Sequence, residues 1–413
     1  MDATKVTRQP EKESRITITR NLALYVWGFL RIFLSAVAAL FSQLRPPTSI
    51  EQQIAIWPPV TEIGLWLNRV FLAPWLRWDA VWYVTILTIG YQAENGSTSF
   101  HPLYIWLSKP FYLLGFDPLL SLILTSSIAS LGLFWMFYKL ASIDLPPERS
   151  RIALLLLVTF PISFILFAPY TESTFLFFTV VALYQLRKRR WLWVALATML
   201  ASLARQQGIF LILPMLWYVW EYYKTSLIEL LQAWRVWLAL ASAPMGLVIW
   251  AIYRLGYLHE GTLDVHNLQG FIYSALLSPS AKKVIPDQAL MWPWQALTNA
   301  VLKIANTMQI QGIINLSLGL GFVLLFALAW KYMNPADRIY SLTITLVSFS
   351  LSIGSTSTYV YMSLPRHLLP AVPVFIGLAG SLKKTWQQRA LIGIQFSVQV
   401  FALMLYVFQT WIP

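Results

Sequence analysis

Residues 22–43 have the sequence LALYVWGFLRIFLSAVAALFSQ, an apolar run with a single charge, Arg31. A helix of about 20 such residues is long enough to cross a bilayer. The preceding residues, 1–21, are polar and basic, which is also the pattern of a secretory signal peptide. The hydrophobic segment of a signal peptide has only about 7–15 residues. We therefore expect a retained first membrane span, with residues 1–21 as a cytoplasmic tail.

The rest of the chain repeats this pattern. Hydrophobic residues make up 58% of the sequence and charged residues 11%, whereas soluble domains carry about 25% charged residues. The sequence therefore predicts an all-α polytopic membrane protein that forms one transmembrane domain over residues 1–413, with about 11 transmembrane helices. The further apolar runs are 118–141, 151–168, 172–187, 191–204, 207–222, 236–256, 309–331, 339–357, 366–382 and 390–411.

The distribution of Lys and Arg predicts the orientation. If the spans alternate from a cytoplasmic N-terminus, the basic clusters, including 187–190 and 383–389, fall on the cytoplasmic side, as in most membrane proteins. The two long loops, 44–117 and 257–308, then lie outside, together with the glycosylation sequon at Asn95. The net charge of +13 is explained in the same way. No soluble basic domain suggests binding of nucleic acid.

The first long loop carries a carboxylate between two tryptophans. Within 64–83, aromatic and aliphatic residues recur every three or four positions, which predicts an interfacial helix at the membrane surface. Asp79 would have Trp82 and Tyr83 as its helical neighbours. An Asp here could simply solvate the helix surface, or it could carry out chemistry.

A second carboxylate, Glu172, lies in APYTES at 168–173, between two apolar runs. Carboxylates at this depth are usually functional or paired. Alternatively, Thr171 or Glu172 could cap the next helix. The sequence leaves these two interpretations open.

Two arginines are expected at the outer ends of spans, Arg205 in ASLARQQG and Arg366 in SLPRHLLP. Each could extend to the lipid headgroups or could bind a phosphate through two hydrogen bonds. His101 and His367 are possible helpers, although a lone histidine is more often structural.

The chain lacks cysteine, which excludes disulfides and thiolate metal sites. It also has no nucleotide-binding loop of the Walker or GxGxxG type and no HExxH motif. A substrate that arrives through the membrane therefore fits better than a soluble nucleotide.

Five motifs occur in a familiar order: RWDAVWYVTILTIGYQ (77–92), FHPLY (100–104), APYTESTF (168–175), ARQQG (204–208) and LPRHLLPAVPVFIGLAG (364–380). In this set the chain resembles the PIG-V type mannosyltransferase family, whose eukaryotic members are the second mannosyltransferase of GPI-anchor synthesis. The resemblance extends over nearly the whole chain. The family has FFP where residues 100–102 are FHP, so the acceptor is left open.

The resemblance implies a GT-C type glycosyltransferase fold with its active site on the non-cytoplasmic face. Such an enzyme takes a sugar, here most simply mannose, from a polyprenyl-phosphate donor, commonly with inversion. It passes the sugar to a glycan or glycolipid acceptor. Asp79 is then the catalytic base. The residues expected to bind substrate are Arg77, Trp78, Tyr83, His101, Tyr170, Glu172, Arg205, Arg366 and His367.

No cofactor is implied, and a single base assisted by arginines needs no metal. The membrane would be the plasma membrane in a prokaryote and the endoplasmic reticulum in a eukaryote. A protein partner is left open. One alternative function is a transporter or flippase of lipid-linked sugars, which would show repeats and polar residues near the bilayer midplane. Another is a non-catalytic subunit of a glycosylation complex, in which Asp79 would be dispensable.

Overall fold

The computed structural model describes residues 8–44, 66–92, 96–224, 226–256, 288–353 and 360–411. The sequon at Asn95 and most of both predicted long loops, 45–65 and 257–287, lie outside the described residues. The α-helices are α1 Arg8–Leu44, α2 Asp79–Ile89, α3 Leu103–Leu113, α4 Pro118–Asp144, α5 Pro147–Val158, α6 Glu172–Arg187, α7 Trp191–Ala204, α8 Ile212–Tyr223, α9 Leu227–Gln232, α10 Trp234–Leu255, α11 Pro293–Thr307, α12 Ile310–Ala329, α13 Pro335–Ser350, α14 Leu364–Leu368, α15 Pro373–Ser381 and α16 Thr385–Val407.

Five helical stretches in the described part of the chain are long and apolar enough to cross a membrane. They are Asn21–Leu44, Pro118–Asp144, Trp234–Leu255, Ile310–Tyr332 and Thr385–Val407. This arrangement makes the chain an integral, multi-pass membrane protein. The expected number of about 11 transmembrane helices is not confirmed, because the other predicted spans form shorter or broken helices.

The predicted span 151–168 shows how such a break occurs. Its helix, α5, ends at Val158, and a 3-10 turn, Ser163–Leu166, follows after Pro161. The carbonyl groups freed at the break are satisfied by neighbouring side chains. Gln399 Nε2 of α16 donates to Val158 O at 2.9 Å and to Phe160 O at 3.3 Å. A helix can be interrupted at this depth because protein, rather than lipid, supplies the missing hydrogen bonds.

The helices pack as a bundle around a shared apolar core. On one side α4, α6, α7 and α10 pack in series, and on the other α15 packs between α5 and α12. The described residues also include two short strands: β1, Gln288–Leu290, pairs antiparallel with β2, Leu351–Ile353. The all-α prediction therefore misses this short two-stranded ribbon.

The prediction of one interfacial helix over 64–83 is wrong for the described residues 66–83. The chain forms a π-turn, Asn68–Leu72, and a 3-10 turn, Ala73–Trp75, before α2 begins at Asp79. Trp75 is fully buried rather than facing the membrane, and its ring centroid lies 6.3 Å from that of Tyr406. Pro74 has no backbone N–H, which favours ending the first helical segment here.

A buried ionic cluster, the inner clamp, lies at the C-terminal end of α6. Arg187 bridges Asp144 of α4 at 2.9 Å and Asp337 of α13 at 2.5 Å. It thereby fastens three helices together. Glu172 is the first of the 16 residues of α6 and Arg187 the last, so the two lie about 22 Å apart along the helix axis.

Candidate active site

Asp79 is the first residue of α2, and the backbone in front of it is unusual. Trp78 has φ 53° and ψ −117°, a left-handed conformation that residues other than glycine rarely adopt. The buried indole Nε1 of Trp78 has no hydrogen-bond partner among the described residues. This sharp turn ends the segment Asn68–Trp78 and directs the Asp79 side chain into the site.

Glu172 is the first residue of α6 and is almost fully buried. Thr171, in front of it, makes no side-chain capping bond, so the capping hypothesis is wrong for Thr171. The Glu172 carboxylate instead contacts two guanidinium groups. Its Oε1 accepts hydrogen bonds from Arg366 Nε and Arg205 Nη1.

Arg366 lies on the short helix α14, which follows a second left-handed residue, Ser363, with φ 60° and ψ 28°. Its Nη2 lies 2.7 Å from Asp79 Oδ2, while its Nε contacts Glu172. Its guanidinium carbon lies 4.7 Å from the ring centroid of Tyr170. The side chain is only 8% exposed, so Arg366 does not extend to the headgroups as one interpretation of the sequence had it.

Arg205 lies between α7 and the 3-10 turn Gln206–Leu211. The turn packs directly on α7, since a Cβ atom at Gly208 would lie 2.4 Å from Ser202 N. Glycine at this position is what allows so close an approach. Arg205 Nη1 contacts Glu172 and lies 3.5 Å from Thr171 Oγ1. Its other two nitrogens have no partner within the part of the chain that the structure describes.

The four groups form a continuous network, Asp79–Arg366–Glu172–Arg205, which we call the outer network. It contains two carboxylates and two guanidinium groups, so its formal charge is zero. Exposure differs sharply along it: the Asp79 side chain is 29% exposed and that of Glu172 only 2%. Removing one member of a buried ion pair leaves the other uncompensated at a cost of about 3–5 kcal/mol. Glu172 is thus the buried anchor, and Asp79 is the carboxylate that a substrate can reach.

The predicted aromatic residues surround this network. Tyr170 places its ring on Arg366 and donates its hydroxyl hydrogen to Arg77 O at 2.9 Å. Tyr83 is buried, and its hydroxyl lies 3.5 Å from Thr171 Oγ1. Arg77 is directed to backbone carbonyls, with its Nη1 2.9 Å from both Ala73 O and Leu76 O. These contacts shape the turn in front of Asp79.

The two histidines lie next to the Arg205 side of the network. Burial and the nearby positive charge of Arg205 lower the pKa of both imidazoles. The His101 ring centroid lies 5.3 Å from that of Trp250. The His367 carbonyl accepts from Ser348 Oγ at 2.8 Å and from Gln207 Nε2 at 3.3 Å. Within the described residues, Nδ1 of each histidine has no hydrogen-bond partner.

Three residues that hold the site together were not expected to bind substrate, although Thr171 was considered as a helix cap. Thr171 contacts both Tyr83 and Arg205, Gln207 holds the His367 backbone, and Tyr406 donates to Trp75 O at 2.9 Å. Gln207 belongs to a motif already singled out, whereas Tyr406 occurs within an apolar run with no local signal. In the described part of the chain, no group of three or more His, Asp or Glu side chains could hold a metal ion.

Fold and site together define the class: an integral membrane protein whose broken helices place a carboxylate–guanidinium network at one end of the bundle. No protein-family model matches the chain. No curated protein matches it either. Among solved structures it is similar to ArnT from Cupriavidus metallidurans bound to undecaprenyl phosphate. The identity is 12%, the TM-score is 0.46, and the match covers 79% of this chain and 70% of that one.

Proposed function

We propose that the protein is an integral-membrane glycosyltransferase of the GT-C type. In this proposal it moves a sugar from a polyprenyl-phosphate donor to a hydroxyl of a lipid-linked or glycan acceptor, with inversion at the anomeric carbon. The observation that carries the proposal is the partly exposed Asp79, held by Arg366 at 2.7 Å at one end of the outer network. One oxygen of the carboxylate is fixed by Arg366. Among the described residues, Asp79 Oδ1 has no hydrogen-bond partner, and in the proposal it accepts from a substrate hydroxyl.

The reaction needs one base at this position. The acceptor oxygen attacks the anomeric carbon and its proton passes to Asp79 Oδ1. The bond between that carbon and the phosphate oxygen breaks, and the polyprenyl phosphate leaves with the bonding electron pair. A base within hydrogen-bond reach of the acceptor hydroxyl typically contributes about 10²–10⁴-fold in rate. Because the attack is direct, no covalent sugar–enzyme intermediate forms, unlike the retaining carboxylate pair.

The departing phosphate is an anion and requires cationic groups. Arg205 is better placed for this than Arg366. Arg366 uses Nε and Nη2 on Glu172 and Asp79, whereas among the described residues Arg205 uses only Nη1 on protein partners. In the proposal Arg205 therefore binds the donor phosphate, with His101 and His367 beside it, and Arg366 orients the base.

The more specific part of the proposal, the family and the sugar, rests on the resemblance of the motifs. The five motifs follow the order of the PIG-V type family, which favours mannose as the sugar. Four of them supply the outer network, since Asp79, Glu172, Arg205 and Arg366 each belong to a different motif. ARQQG supplies Arg205. In this proposal the site faces the non-cytoplasmic side, as the distribution of Lys and Arg indicates.

The test is a transfer assay with defined donors. Purified protein is incubated with polyprenyl-phosphate mannose, or another polyprenyl-phosphate sugar, and a membrane lipid extract, and the products are examined by mass spectrometry. We expect an acceptor that has gained one hexose, together with released polyprenyl phosphate. Movement of intact donor across vesicle membranes without any glycosylated product would overturn the proposal in favour of a flippase.

A further inference from the structure

Arg31 is the one charged residue within the first apolar run, 22–43. Charged residues inside a membrane-spanning helix are costly and usually serve a function. Its guanidinium group turns into the protein, where Nη1 donates to Phe167 O at 2.7 Å. Its guanidinium carbon lies 5.8 Å from the ring centroid of Trp75. Arg31 therefore contacts two segments that are far apart in sequence.

These two segments are the ones that carry the carboxylates of the outer network. Phe167 follows the 3-10 turn Ser163–Leu166 and comes five residues before Glu172. Trp75 ends the 3-10 turn Ala73–Trp75 and comes four residues before Asp79. Both side chains are essentially fully buried, so each segment is packed on both sides and has little freedom to shift once Arg31 is in place.

The contact from Arg31 is one of a small number that join these segments. Tyr170 donates to Arg77 O at 2.9 Å, and Arg366 bridges the two carboxylates themselves. Arg31 adds a further link, through the Phe167 carbonyl on one segment and the Trp75 ring on the other. A guanidinium suits this position, because its planar face can stack on an aromatic ring while its edge donates to a carbonyl.

We propose that Arg31 is a positioning residue for the transfer reaction: it fixes the spacing between the Asp79 and Glu172 segments without touching substrate. This role rests on the proposed function. Displacement of a reacting group by about 1 Å can cost about 10²-fold in rate. Loss of Arg31 should therefore lower kcat and leave donor binding, which depends on Arg205, nearly intact.

The experiment compares Arg31→Met and Arg31→Lys with Trp27→Phe. Trp27 lies one helical turn away on α1 and donates to Ser130 Oγ at 3.0 Å, so Trp27→Phe removes a contact between α1 and α4 without affecting the site. For Arg31→Met we expect kcat to fall about 10- to 100-fold, with the donor KM within about threefold of wild type. Arg31→Lys should recover part of the loss, because an ammonium group can still donate to Phe167 O. Trp27→Phe should lower the melting temperature and leave kcat unchanged.

An unchanged kcat in Arg31→Met, or a loss of kcat in Trp27→Phe equal to that in Arg31→Met, would overturn the positioning role. A second readout does not depend on activity. Spin labels at Ile89→Cys of α2 and Phe178→Cys of α6 report the spacing between these helices in a chain without native cysteine. Arg31→Met should broaden the measured distance distribution, and Trp27→Phe should not. If wild type transfers no sugar but the distribution still broadens, the proposed function fails and the structural link through Arg31 stands. An unchanged distribution removes the link itself.

Discussion

Arg366 Nη2 lies 2.7 Å from Asp79 Oδ2, and the same guanidinium uses its Nε on Glu172. The residue that orients the candidate base is thus itself held by the buried carboxylate. In the proposed reaction this arrangement favours a geometric role for Arg366 over the phosphate-binding role suggested by its place in the sequence. The two roles predict different kinetic changes.

Arg366→Lys should lower kcat by about 10²-fold with little change in the donor KM. A single ammonium group cannot contact both carboxylates in the way a planar fork does, so Asp79 loses its orientation. Steady-state kinetics with varied donor gives the two constants. Arg187→Lys is the matched control, because Arg187 also bridges two carboxylates in the inner clamp. It should lower the melting temperature without altering kcat. A rise in the donor KM of Arg366→Lys, with kcat preserved, would instead place the phosphate on Arg366.

Arg205→Gln should raise the donor KM by about 10-fold or more. A hydrogen bond to a charged group contributes about 1.5–3 kcal/mol, and the donor phosphate is present in both the ground state and the transition state. Donor titration at saturating acceptor measures the effect. Gln207→Leu, which leaves the guanidinium in place, serves as a neighbouring comparison. An Arg205→Gln enzyme with an unchanged donor KM contradicts the assignment of the phosphate to this residue.

Trp78→Gly should be more stable than Trp78→Ala. Both variants lose the indole, but only glycine accepts φ 53° and ψ −117° without the strain of about 1–3 kcal/mol expected for other residues. Melting temperatures in detergent decide the order. At Val81, inside α2, the order should reverse, because alanine is favoured over glycine by about 1 kcal/mol within a helix. If alanine is the more stable variant at both positions, the turn at Trp78 is not strained.

The orientation predicted from the basic residues can be measured with single cysteines. Gln295→Cys on α11 and Lys384→Cys before α16 are both at exposed positions. In sealed right-side-out vesicles, a membrane-impermeant maleimide should label Gln295→Cys before lysis and Lys384→Cys only after lysis. The reverse pattern would place the outer network on the cytoplasmic face and exclude a lumenal or periplasmic donor.

The residues of the outer network could be recognised in the sequence as candidate site residues because each is a charged residue next to an apolar run. Their pairing could not be predicted, because Asp79, Glu172 and Arg366 come from three distant segments. The membrane class was predictable for a similar reason: five helices are apolar over a full membrane width. Eleven uniform spans were not found, because residues such as Pro161 end a helix that hydropathy alone extends.

The segment 64–83 shows why local periodicity was not sufficient. Its aromatic residues do recur at helical spacing, yet Trp75 is buried under Arg31 and beside Tyr406. Tertiary packing there outweighs the helical pattern. Tyr406 carries no local signal that distinguishes it from ordinary helix residues. Arg31 did carry one, as a charge within the first span, but its partners could be identified only from the structure.

Asp79→Asn is the decisive variant for the proposed role of Asp79 as the base of a sugar transfer. The matched control is Asp144→Asn, since Asp144 also pairs with an arginine, at 2.9 Å, and is similarly exposed, at 33%. The measurement is the rate of hexose transfer from polyprenyl-phosphate sugar at saturating donor, for equal amounts of folded protein. We predict that Asp79→Asn loses about 10²–10⁴-fold in rate and still binds donor, while Asp144→Asn transfers at the wild-type rate. Transfer by Asp79→Asn within about twofold of the control would show that Asp79 is not the base.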